Sequence, residues 1–136
     1  LAAADRIAEW GGRYVSFQTL IRDTQARERG SRDAQARWGR SYSAQCLVVL
    51  DEVGLEEERQ KDHARIALHE FIEVRRRHAT PTIILSNKRG DIIRERFRSN
   101  WYDKRTESRL AQVLFRDANG KGLHDVGGED MRGEAI

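Results

Sequence analysis

The sequence has little of several things, and each shortage narrows its class. A single cysteine, Cys46, excludes an intrachain disulfide and suits a reducing compartment, so the expected location is cytoplasmic. There is a single proline, Pro81, and no repeat or low-complexity linker, so 136 residues read as one domain, 1–136. No apolar run approaches the roughly 18 residues of a membrane span, and no secretory leader pattern is visible, so no membrane is expected among the partners. His63, His69, His78 and His124 form no HExxH or Cys/His grouping, and no nucleophile elbow occurs. Cys46, at the start of an apolar run, reads as a small core residue. Charge is what the chain has in quantity. Asp, Glu, Lys and Arg make up 35% of it against 38% hydrophobic residues, and the net charge is +3. That composition describes a charged globular domain and permits an anionic partner.

Helical and strand-like segments alternate. Residues 1–10 are helix formers stopped by Gly11 and Gly12, and 13–17 (RYVSF) reads as a strand. Helical composition returns from Thr19 to about Arg29, with Gln18 or Thr19 as cap and Gly30 as stop. The stretch 31–45 is polar, basic and without a clear period. LVVL (47–50) is a continuous apolar run, the mark of a parallel strand covered on both faces. Ala64, Ala67, Leu68, Phe71 and Val74 recur at helical spacing within about 56–78, ended by Thr80 and Pro81. A second buried strand, TIIL (82–85), a short helix at 91–97, and strands at 113–115 and 123–126 around a glycine-rich turn complete the expectation. The fold class is α/β with a mostly parallel sheet.

Both apolar strands end in polar pairs. LVVL runs into Asp51 and Glu52, and TIIL into Ser86 and Asn87. Ligands of open parallel sheets sit beyond the carboxyl ends of the strands. There, one carboxylate can hold hydrated Mg²⁺ and a second can orient or deprotonate water, the Walker B arrangement of P-loop ATPases. An amide on the neighbouring strand can bond a γ-phosphate or the attacking water. The competing readings are an acidic turn after a core strand for Asp51-Glu52 and an ordinary turn residue for Asn87.

In order along the chain, LAAA (1–4), YVSFQTLIRD (14–23), CLVVLDEVG (46–54), EVRRRHATPTIILSN (73–87), RTESRL (105–110) and GEDMR (128–132) resemble the AAA+ domain of bacterial replicative-helicase loaders and transposition helper ATPases, the DnaC/IstB group. The resemblance implies a P-loop NTPase (AAA+) three-layer sandwich, with ATP and Mg²⁺ as cofactors. In it Asp51 would hold Mg²⁺ through water, Glu52 would polarise the attacking water and Asn87 would be sensor 1 at the γ-phosphate. Arg109 would be the arginine finger of an ATP-bridged self-association, supported by Arg105; the alternative for both is an ordinary basic helix surface. Implied partners are a replicative DNA helicase and single-stranded DNA; a transposition helper, or a non-catalytic interaction module, is the alternative.

Departures accompany the resemblance. No G-x-x-x-x-G-K-S/T phosphate loop occurs, and LAAA resembles the residues that directly follow it in the group. The expectation is therefore a chain truncated just after that loop. It would lack the first, central strand of a sheet ordered 5-1-4-3-2, and it would bind ATP poorly or not at all by itself. Residues 98–104 (RSNWYDK) are longer than the group's link into the arginine box, and Met131 replaces an aromatic. Six arginines at 22, 27, 29, 32, 37 and 40, interleaved with Trp38 and Tyr42, suggest a single-strand DNA site, with Arg27, Arg32, Arg37, Arg40 and Trp38 as its candidates. The alternative there is a solvated charged face. Arg75, Arg76 and Arg77 suit a helix C-terminus electrostatically.

Overall fold

The computed structural model describes residues 2–9, 11–88, 90–99 and 101–113. The chain runs α1 (Ala2–Glu9), β1 (Gly12–Ser16), α2 (Phe17–Glu28), α3 (Arg32–Trp38), β2 (Leu47–Asp51), α4 (Lys61–Arg77), β3 (Thr82–Ile84), α5 (Gly90–Arg98) and α6 (Lys104–Val113). The three strands form one parallel sheet in the order β1-β2-β3, with Val15 opposite Leu50 and Leu50 opposite Ile84. Beyond β3 no further strand lies among the described residues. No described helix is long and apolar enough to cross a membrane.

β2 shows why its sequence is apolar without alternation. Val48, Val49 and Leu50 are all buried, so both faces of the strand are covered. Val48 and Leu50 face the main core, where Phe17, Leu20 and Ile21 of α2 meet Ala64, Ala67, Leu68, Phe71 and Ile72 of α4. α6 packs along α4, while α1 lies against β1. Each fully buried Leu, Ile or Phe side chain contributes roughly 1.5–3 kcal/mol of transfer free energy.

Several element boundaries differ from the sequence expectation. The strand at 13–17 ends one residue early, because Ser16 caps α2 through an Oγ that accepts the Thr19 N–H at 3.2 Å. Phe17 becomes the first helical residue and turns into the core. The unassigned stretch 31–45 holds α3, capped by Ser31 Oγ accepting the Ala34 N–H at 2.8 Å. A wide π-type turn, Gly39–Ser43, follows it. The long helix starts at Lys61 rather than near 56, after a short 3₁₀ turn at Glu58–Gln60. Cys46 is exposed, not in the core: it sits in the bend before β2, its N–H bonded to Gly11 O at 3.1 Å. Val113 closes α6 instead of opening a strand. Residues 114–136, with the expected turn, the strand at 123–126, His124 and GEDMR, lie outside the described residues.

Arg75 departs most from its sequence reading. It is fully buried, and its guanidinium donates to Thr82 Oγ1 at 2.9 Å and to the carbonyls of Tyr42 (3.0 Å), Gln45 (2.8 Å) and Pro81. The end of α4 is thereby bolted to the segments that lead into β2 and β3. Arg76 and Arg77 remain exposed at the helix end.

Candidate functional site at the carboxyl edge of the sheet

Parallel pairing places the ends of β2 and β3 side by side, and the loops that follow stay joined. Leu85 N–H donates to Leu50 O at 2.8 Å and Val53 N–H to Leu85 O at 3.2 Å. The Ser86 hydroxyl donates to Val53 O and accepts the Lys88 N–H at 3.0 Å. Asp51, Glu52, Ser86 and Asn87 are thus brought to one edge, with Asp51 and Glu52 half-buried and Asn87 exposed.

Asp51 accepts the Glu52 N–H on Oδ1 at 2.7 Å and the Tyr14 hydroxyl on Oδ2. Each carboxylate oxygen carries two lone pairs, so both keep acceptor capacity for the water shell of a hydrated cation. One carboxylate with spare lone pairs at a strand end fits water-mediated Mg²⁺, which characteristically keeps several of its waters. Among the described residues there is no cluster of three or more His, Cys, Asp or Glu. Glu52 has φ of 63°, a left-handed conformation that disfavours a side chain by roughly 1–2 kcal/mol.

The arginines of α6 stand elsewhere. Arg109 Nη1 bonds Glu73 of α4, and Arg105 Nη2 pairs with Asp103 at 2.9 Å. α4 must run antiparallel to the strands it connects, so Glu73, twelve residues past Lys61, lies ~18 Å down the helix from the carboxyl edge. Within one chain, then, Arg109 is tied to α4 and Arg105 to Asp103, and neither pairing involves Asp51, Glu52 or Asn87. Burial by itself raises the Glu73 carboxyl, but hydrogen bonds from Arg109 and Arg76 outweigh it and hold the carboxyl below its usual range.

The candidate DNA site divides. Trp38 is only 3% exposed; its indole N–H donates to Thr24 Oγ1 at 3.0 Å and its ring lies 5.2 Å from that of Tyr42. It is a core residue and is not available to stack a base. Arg27 is also engaged, ion-paired with Glu70 and with its guanidinium 4.1 Å from the Trp38 ring centre. Tyr42 is buried too, its hydroxyl donating to Asp23 at 2.5 Å. Arg32, Arg37 and Arg40 are exposed on the α3 segment and can meet phosphate.

Sequence reasoning missed two contributors. Tyr14 reaches Asp51 because both side chains share a sheet face, which follows from the register pairing Ser16 with Asp51. Glu56, only 4% exposed, was hidden in the run 56–58 of three glutamates, where nothing local marks one member as buried. Comparison with protein-family models, curated proteins and solved structures finds no match.

Proposed function

We propose that this edge is the hydrolytic part of an AAA+ P-loop ATPase site, in a DNA replication protein of the helicase-loader type. The observation that carries the reading is the adjacency of two parallel strands, one ending in Asp51-Glu52 and the other in Ser86-Asn87, with their following loops hydrogen-bonded together. The order β1-β2-β3 also agrees with the 2-3-4 part of the sheet that the resemblance implies.

Mg²⁺ bound with ATP would supply charge neutralisation on the phosphates. Asp51 would hold its water shell, with the Tyr14 hydroxyl and the Glu52 N–H fixing the carboxylate. Glu52 would accept a hydrogen bond from the attacking water and so polarise it, and Asn87 would orient that water or the γ-phosphate. Arg109 would act on nucleotide held by a neighbouring copy, with Arg105 in support, and the pairing of Arg109 with Glu73, down α4 from the edge, agrees with that. Arg32, Arg37 and Arg40 would contact single-stranded DNA through its phosphates, and a replicative helicase would be the protein partner. A transposition helper would share this chemistry with different partners.

A second reading, a non-catalytic interaction module, is favoured by the lack of a phosphate loop within residues 1–136. Reading the gene upstream of the Leu1 codon separates the two. The ATPase proposal expects a G-x-x-x-x-G-K-S/T loop ending directly against Leu1. A start codon with no such loop would replace it by the non-catalytic module.

A further inference from the structure

A carboxylate this deeply buried persists only when fully partnered, and Glu56 is. Its Oε2 accepts the Gly54 N–H at 2.9 Å, while Oε1 accepts Arg96 Nη1 at 3.0 Å and the Tyr102 hydroxyl. Arg96 also donates Nη2 to Gly54 O at 3.0 Å and stacks on Trp101, 4.3 Å from the ring centre. Both backbone polar groups of Gly54 are therefore held by this ion pair. Gly54 has φ of 101°, and a Cβ there would stand 2.8 Å from Lys88 Cγ, so the loop is pressed against the residues after β3.

The preceding residue is anchored just as fully, Val53 N–H to Leu85 O and Val53 O to the Ser86 hydroxyl. Glu52 lies between these anchors and Asp51, and its own carbonyl accepts the Leu55 N–H at 3.3 Å. A side-chain-bearing residue stays left-handed only where its surroundings over-determine it. Here the surroundings are the β3 loop on one side and the Glu56 network on the other.

We propose that Glu56 is a positioning residue for Glu52: with Arg96 and Tyr102 it clamps the loop 52–56 and holds Glu52 in its left-handed conformation at the sheet edge. The functional consequence rests on reading Glu52 as the group that polarises water. The clamp also gives the long connection RSNWYDK a role, since that stretch supplies Trp101 and Tyr102.

A double-mutant cycle in urea unfolding tests the clamp without any need for activity. Glu52→Gly relieves the left-handed conformation and should raise the unfolding midpoint of the otherwise native protein. In a Glu56→Gln background the loop relaxes, so the same substitution should give no rise, or a fall from the freer unfolded chain. Equal shifts in the two backgrounds would overturn the proposal, because a merely structural Glu56 lowers stability additively. If Glu56→Gln does not fold, Tyr102→Phe removes one hydrogen bond while keeping the ring, and the cycle is run with it. In ATP turnover the clamp variants should lower kcat roughly 10–100-fold with the KM for ATP unchanged; a change in KM alone would contradict positioning. If the gene product expressed from its own start codon turns over no ATP, the ATPase reading fails, and the unfolding cycle still decides whether Glu56 holds Glu52.

Discussion

Arg75 shows how much one side chain can carry. Its acceptors are three main-chain carbonyls and a hydroxyl, all neutral, and burial pushes its pKa down to about 10. Replacing it by Met, of similar length and apolar, leaves those oxygens without their donor. Arg75→Met should therefore cost at least ~3 kcal/mol in urea unfolding, since hydrogen bonds to a charged group contribute ~1.5–3 kcal/mol each. A loss under ~1 kcal/mol would mean that water replaces the guanidinium. The burial was legible in the sequence: 64, 67, 68, 71, 72 and 75 follow one helical stripe, and Arg75 continues it. The run of three arginines drew the reading toward the helix dipole instead. Trp38 is the same case, four residues after buried Ala34 on α3, and its interleaving with arginines suggested a stacking platform. In both, helical phase decided burial and local charge did not.

Caps set the element boundaries, and the strand-to-helix junctions were where the reading slipped. Ser16 and Ser31 use a side-chain oxygen to accept an otherwise orphaned helical N–H. Asp103 does the same for α6, Oδ1 accepting the Arg105 N–H at 2.9 Å while Oδ2 pairs with the guanidinium. The Arg105 side-chain bond, then the backbone bond, hold the Asp103 carboxyl down to about 2. The folded state thus favours the ionised form, and this contribution is full above the ordinary carboxylate range, near pH 4. It is lost as pH falls from there through about 2. Asp103→Ala should cost ~1 kcal/mol at neutral pH. Urea unfolding followed by circular dichroism should show the difference from the native protein shrinking below pH 4; a difference independent of pH would show that the cap does not depend on charge. Cap chemistry of this kind is written in the sequence. The burial of Glu56 is not, because it depends on Arg96 and Tyr102, some 40 residues downstream.

At the scale of the whole molecule, the parallel α/β architecture and the meeting of Asp51, Glu52 and Asn87 at one edge were readable from two apolar runs with polar ends. The βαβ connection forces that meeting, since a helix must return the chain before a parallel strand can pair. The position of Arg105 and Arg109 was not readable, because it depends on α6 packing along α4 through the Arg109–Glu73 pair and the 2.9 Å His69–Thr106 hydrogen bond. The most direct test is magnesium-dependent ATP turnover by the gene product expressed from its own start codon, with and without Glu52→Gln. We expect turnover in the native protein and a loss on the order of 10²-fold or more in the variant, with ATP still bound. Turnover unchanged by the substitution, or none in the native protein, would contradict the assignment of this sheet edge as a hydrolytic site.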